Sequence, residues 1–210
     1  MLEVRALGSI GSDPTPPLFR NLAFSLAAGE SLAIVGPAAS GKSVLLRILA
    51  GAIREYAGEV LFEGVELRKW SRDFFARTGA VLDPPGLYPQ LTVRENVESH
   101  SRLYAGAEAS ADGWLERCGL AAQAGIRAVK LTTDQELLAG LARAQMHHPR
   151  LLCIDTPAEG LGPDAVERVA TVIRDRKAGG FATVLATGAA AWGAACCDRT
   201  LRLGPAEDVA

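Results

Sequence analysis

Neither sign of charge is in excess in this 210-residue chain: 22 Lys and Arg stand against 24 Asp and Glu, a net charge of −2, with the two signs interspersed. That excludes the basic stripe of a nucleic-acid binder and the polybasic segment that seeks lipid headgroups, so no nucleic acid is expected and any phosphate site must be local. No secretory leader is expected either. Met1-Leu2-Glu3-Val4-Arg5 has no apolar core of signal-peptide length behind a basic start, which predicts a chain that stays in the cytosol. The four cysteines (Cys118, Cys153, Cys196, Cys197) show no CxxC spacing, and the adjacent pair neither closes an ordinary disulfide nor splits into a metal clamp, so reduced thiols are expected. The one stretch that resembles a membrane segment, 181–197, carries no charge but is Ala/Gly-rich and shorter than a comfortable span. It reads as a buried strand followed by a buried helix, and any membrane must be supplied by a partner. No internal repeat or low-complexity tract is present.

What remains is a globular composition, 49% hydrophobic and 22% charged, large enough for one full core and a small inserted subdomain. Apolar strand-like runs recur at Ser31 to Val35, Ala80 to Leu82, Leu151 to Ile154 and Thr183 to Ala186, separated by helical segments. That alternation predicts a parallel, largely buried sheet. Leu2 to Leu7, Leu22 to Leu26 and Glu59 to Phe62 alternate or end at turn residues and predict an antiparallel sheet beside it. Between about Thr92 and Asp134 strand signals vanish, and Thr92, Asp112 and Thr132 each precede helix-forming sequence as N-caps do. Pro84-Pro85-Gly86 predicts a hinge or loop at the entrance to this helical region.

The strongest signal is Gly36-Pro37-Ala38-Ala39-Ser40-Gly41-Lys42-Ser43, between the apolar strand ending at Val35 and an apolar helix from Val44 to Leu49. It fits GxxxxGK[ST] in the strand–loop–helix context that gives the pattern meaning. Small residues let successive N–H groups turn inward, and the following helix adds its positive end, so the loop is an anion cradle. Lys42 then reaches terminal phosphates and the Ser43 hydroxyl ligates magnesium. Ala39 adds a methyl where many such loops have glycine. Leu151-Leu152-Cys153-Ile154-Asp155, an apolar strand ending in a carboxylate, supplies a hard oxygen of the kind magnesium prefers.

With this loop, the proline hinge, the helical insertion, Leu131-Thr132-Thr133-Asp134-Gln135 and the Leu151–Asp155 strand in that order, the whole chain resembles an ABC transporter nucleotide-binding domain. Ala27-Ala28-Gly29-Glu30, the stretch Leu87-Tyr88-Pro89-Gln90-Leu91-Thr92-Val93-Arg94-Glu95-Asn96-Val97, Leu141-Ala142-Arg143-Ala144 and Asp198-Arg199 add to the match. The resemblance implies an α/β P-loop NTPase fold of ABC ATPase type, mostly parallel with an antiparallel β edge. It implies one domain over 1–210, with a core of 1–83 and 135–210 and a helical subdomain at about 84–134. The implied cofactors are ATP, bound by Gly36 to Val44, and Mg2+, held by Ser43, Asp155 and Asp83. In this family two such domains sandwich two ATP molecules head to tail, each phosphate loop facing the other subunit's LSGGQ signature.

The departures from the family pattern fall on its chemical positions. Thr156 stands at the catalytic glutamate, and a hydroxyl cannot accept a proton from water near neutral pH. Glu159, three residues on, is expected to point elsewhere. Gly188 stands at the switch histidine, Gly162 at the D-loop aspartate and Asp83 at the Q-loop glutamine. No upstream aromatic is available for adenine, since Gly8 to Gly11 offers only Ile10. His100, His147 and His148 lie away from the switch position and read as surface or helix-end residues. In the signature, Thr132 keeps a hydroxyl, but two glycines are gone and Asp134 brings a carboxylate. Two unit charges about 4 Å apart repel by roughly 4 kcal/mol at an effective dielectric near 20. Either the opposite ATP is held off or this aspartate turns away.

These changes imply an ATP-binding, poorly hydrolysing subunit, paired with an intact-motif homologue and with transmembrane permease subunits. It would lie in the cytoplasm on the membrane face, and the Leu87–Val97 stretch looks most like export systems. The alternatives are a slow homodimeric ABC ATPase and a soluble nucleotide-sensing scaffold. An exposed apolar face around Asp83 to Tyr104 favours a transporter over a scaffold.

Overall fold

The computed structural model describes residues 1–11, 16–69, 72–101, 110–156 and 161–204, without the side chains of His100 and Ser101. In chain order its strands are β1 (Leu2–Ser9), β2 (Leu22–Leu26), β3 (Ser31–Val35), β4 (Tyr56–Phe62), β5 (Val65–Glu66), β6 (Thr78–Val81), β7 (Leu151–Asp155), β8 (Ala182–Thr187) and β9 (Arg199–Arg202). Its α-helices are α1 (Lys42–Leu49), α2 (Arg72–Arg77), α3 (Val93–Ser101), α4 (Ala111–Arg117), α5 (Thr133–Gln145), α6 (Pro163–Ala178) and α7 (Ala190–Cys196).

The strands form two sheets. One has the order β2-β1-β4-β5, with every pairing antiparallel; the other has the order β6-β7-β8-β3-β9, with every pairing parallel. Side chains alternate across the parallel sheet, and both of its faces are covered. Leu151 and Cys153 of β7 join a core with the antiparallel sheet and α1, whereas Leu152 and Ile154 join a second core with α5 and α6. Double burial is why these strands read as unbroken apolar runs, while the antiparallel strands, half-exposed, alternate. The C-terminal ends of β3, β6, β7 and β8 therefore emerge on one edge, which is where open parallel sheets carry ligands.

Three helix starts were expected at capping residues, and two have the expected form. Thr132 accepts a hydrogen bond from Gln135 N while its own N–H donates to Gln135 Oε1, a reciprocal capping box. Thr92 and Glu95 do the same at α3. At α4 the cap position is Ser110, not Asp112; Asp112 lies in the first turn, where its charge suits the helix N-terminus and it pairs with Arg94 at 2.5 Å. The 181–197 stretch is a buried strand followed by a helix, but α7 is largely exposed. It has seven residues and only Gly193 is buried, where an added Cβ would stand 3.0 Å from Ala33 Cβ. Among the described residues, no helix is long and apolar enough to cross a membrane.

Candidate nucleotide-phosphate site

The loop after β3 is shaped by backbone that few residues adopt. Gly41 has φ +92°, and an added Cβ would lie 2.9 Å from the Phe19 ring; at Gly36 it would meet the Leu203 carbonyl at 2.3 Å. Ala39 sits at φ +61°, a left-handed conformation that costs an alanine roughly 1–2 kcal/mol. Phe19 and the Leu203 carbonyl thus leave no room for a side chain at either glycine. Helix α1 begins at Lys42 with no acidic residue in its first turn and no side-chain cap, so its leading N–H groups face outward toward an anion. Lys42 Nζ donates to the carbonyls of Gly36 (2.8 Å) and Pro37 (2.6 Å), lying across the cradle.

Asp155, at the end of β7, is 4% exposed, and its Oδ2 has no hydrogen-bond partner among the described groups. Burial lifts its carboxyl above the ordinary carboxylate range, and the nearby Asp83 charge pushes the same way; the hydrogen bond with the Ser43 side chain and the charges of Arg47 and Lys42 oppose them. Ser43, Asp155 and Asp83 thus converge, and the buried orphan oxygen fits a hard divalent cation. Among the described residues no group of three or more His, Cys, Asp or Glu could hold a metal. The remaining ligands would be water and phosphate, as magnesium favours. A carboxyl whose folded pKa is raised contributes stability below its unfolded value that is lost as pH rises through the folded one. Charged Asp155 therefore weakens the cation-free fold at neutral pH. Asp155→Asn is expected to raise the melting temperature at pH 7 without magnesium and to remove the further rise produced by magnesium with ATP, measured by thermal unfolding.

Two further positions at this edge carry no acid or base. Thr156 is 5% exposed, and both its N–H (3.1 Å) and its hydroxyl (3.0 Å) donate to the Ala186 carbonyl of β8. Gly188 follows β8 in an exposed bend. Glu159 lies outside the described residues.

At the start of α5, Asp134 Oδ2 accepts a hydrogen bond from Gly162 N at 2.9 Å, and Gly162 is the cap position of α6. The aspartate has turned toward its own chain, where its charge faces the N-terminal ends of two helices. Glycine at 162 is tied to that contact, because a Cβ there would lie 2.9 Å from the same oxygen. Asp134→Gly should lower stability by about 1–2 kcal/mol. Gly162→Ala should destabilise the native chain yet be nearly neutral in the Asp134→Gly background. Equal effects in both backgrounds, by denaturant titration of the double-mutant cycle, would show the two positions to be uncoupled.

A family model described as "ABC transporter" matches residues 19–159. The chain belongs to the ABC transporter family. It is similar to the fluoroquinolones export ATP-binding protein of Mycobacterium tuberculosis, 31% identical over 199 residues, 95% of this chain and 66% of that protein. It is also similar to an aliphatic sulfonates import ATP-binding protein of Burkholderia cenocepacia, 31% identical over 175 residues, 83% of this chain and 63% of that protein. The chain thus spans at most about two thirds of the length of these relatives. Among solved structures, a dimeric bacterial ABC transporter cassette superposes with a TM-score of 0.86 at 22% identity, over 97% of this chain and 94% of that one. That likeness establishes the fold.

In this ABC cassette the expected site residues fall into two groups. Gly36 to Val44, Asp155 and Asp83 are brought together at one sheet edge with Thr156 and Gly188. Leu131 to Gln135 and Gly162 form a separate cluster at the N-terminal ends of α5 and α6. Ile10 is 63% exposed beside a surface groove that Val44 and Leu18 also line, so an aliphatic side chain occupies the region where an aromatic was sought. The positioning residues carried no signal of their own. Arg143 donates to the carbonyls of Gly86 (2.7 Å) and Pro85 (2.5 Å), and Arg47 to that of Asp83 (2.9 Å), fixing the proline hinge from two helices. Asn96, fully buried, bonds the backbone of Tyr88, Leu91 and Thr92 and so shapes the loop beyond the hinge. Only the family match of their segments hinted at them.

Proposed function

We propose that this chain is the ATP-binding subunit of an ABC exporter, holding magnesium-ATP at Gly36 to Val44 with little turnover, as the weak half of a heterodimer with an intact-motif subunit. The observation that carries it is the contrast between Asp155 and Thr156. The binding pair Ser43 and Asp155 keeps its chemistry, whereas the next residue's hydroxyl is engaged with the Ala186 carbonyl and has no proton-accepting capacity to offer water. The loop N–H groups and Lys42 bind the phosphates, and Ser43, Asp155 and Asp83 would hold magnesium. When bound, the ion neutralises phosphate charge. Gly188 presents no side chain to a terminal phosphate.

Coupling to transmembrane permease subunits is supported by a cleft lined by Pro84, Pro85, Leu87 and Val129, with Tyr88 and Val129 each 61% exposed. Apolar side chains so exposed around one cleft suit a docking partner better than solvent. Residues 102–109 of that region lie outside the described residues. Attachment to the cytoplasmic face of a membrane follows from this docking. Export is favoured over import by the longer alignment with the fluoroquinolones export relative. Affinity purification of the native assembly from membranes is expected to yield a permease and a second ABC subunit with intact glutamate and histidine. Recovery of homodimers alone would promote the slow homodimeric ATPase, and recovery of neither a permease nor a second cassette the soluble scaffold.

A further inference from the structure

The parallel sheet has a second concavity, largely apolar with a few charged groups, on the edge opposite the phosphate loop. There the C-terminal ends of α5 and α6 and the residue before β8 enclose a cavity of about 120 Å³. Trp114, Val172 and Phe181 form apolar walls, and Gln145 and Arg176 line it from the core. These last two are 1% and 5% exposed.

Arg176 donates to Thr183 Oγ1 (3.0 Å), Gln145 Oε1 (2.8 Å), Pro149 O (3.0 Å) and Ala182 O (2.8 Å). All four acceptors are neutral. A guanidinium this deep ordinarily has a carboxylate bonded to it. Burial lowers its pKa to about 10, so the charge persists at neutral pH. Because Arg176 has only donors, it fixes the Gln145 amide with the oxygen toward itself and the nitrogen turned away. That Nε2 is buried with no hydrogen-bond partner among the described groups. A buried donor left unmade is unfavourable, and Gln145 is one of the residues that line this cavity.

The remaining lining residues set the chemistry of that occupant. Arg117 stacks over the Trp114 ring at 5.1 Å, and the His148 ring lies 6.3 Å from it. Asp175 is the single carboxylate of the lining, against the guanidinium groups of Arg117 and Arg176. The volume is close to that of engineered cavities that take up benzene, about 150 Å³. We propose that this cavity is a binding site for a single-ring aromatic carboxylate, its ring between Trp114 and Phe181 and its carboxylate accepting from Gln145 Nε2 beside Arg176. The site is independent of nucleotide, since Phe181 and Pro149 precede β8 and β7 while the phosphate loop and Asp155 follow β3 and end β7.

Ligand-observed NMR on the purified full chain tests this with benzoate, benzylamine and cyclohexanecarboxylate. Benzoate is expected to show saturation transfer at millimolar concentration, cyclohexanecarboxylate a weaker signal and benzylamine none, with no displacement by magnesium-ATP. Trp114→Ala should weaken benzoate binding about tenfold or more, whereas Trp114→Phe keeps most of it. Arg117→Glu, on the exposed rim, should weaken it about threefold without altering the melting temperature. Benzylamine binding as well as benzoate, unchanged affinity in a folded Trp114→Ala, or no benzoate signal at all would overturn the assignment. Displacement of benzoate by ATP in the native chain but not in Lys42→Ala would move the ligand to the phosphate loop and equally overturn it.

Discussion

The purified chain is expected to hydrolyse magnesium-ATP at background rate, and Thr156→Glu alone is expected to recover less than about tenfold. General-base assistance is typically worth about a hundred- to ten-thousandfold. The absence of that assistance proposed here rests on Thr156: its side chain is buried and bonded to the Ala186 carbonyl, so a glutamate in the same orientation would set a carboxylate against a carbonyl oxygen. It must turn outward, and it would then meet no imidazole, because Gly188 has none to contribute. Thr156→Glu with Gly188→His still leaves Asp134 in the signature of each subunit. Steady-state phosphate release measures this. Turnover that survives purification and disappears in Lys42→Ala would favour the homodimeric enzyme.

In the mixed assembly the effects of mutation are expected to be unequal. In the heterodimer we propose, the partner's phosphate loop, glutamate and histidine would form one composite site whose weak elements come from this chain, Thr132, Thr133, Asp134 and Gly162. Substituting the partner's glutamate should lower transport ATPase activity by about a hundredfold or more, while Thr156→Ala should change it by less than about twofold. The Asp134 contact with Gly162 supports this proposal, because the carboxylate is held by its own chain at 2.9 Å. A large loss from Thr156→Ala would assign chemistry to the site built on Lys42 and contradict the asymmetry.

The fold was largely legible because its signals are periodic or stereochemical. Doubly buried strands give unbroken apolar runs such as Leu151 to Ile154, and the phosphate loop requires small residues at fixed spacing. The N-caps Thr92 and Thr132 were legible because each precedes helix-forming sequence, though their reciprocal bonds with Glu95 and Gln135 came only from the structure; Asp112 misled because an acidic residue serves the first turn as well as the cap. The outward face of α7 was not readable, because an alanine-rich helix looks the same buried or exposed. The sequence left two outcomes open for Asp134, and only the approach of α6 to α5 decides between them. Arg143, Arg47 and Asn96 were invisible as positioning residues because each acts on backbone carbonyls or amides whose location is a property of the fold, not of any local pattern.

Binding without turnover at the Lys42 site can be read by recovering the nucleotide from the purified chain after prolonged incubation with labelled ATP and magnesium. Stoichiometric bound nucleotide that is still ATP is expected, and none on Lys42→Ala. Recovery of Lys42-dependent ADP, or of no nucleotide from either protein, would contradict it.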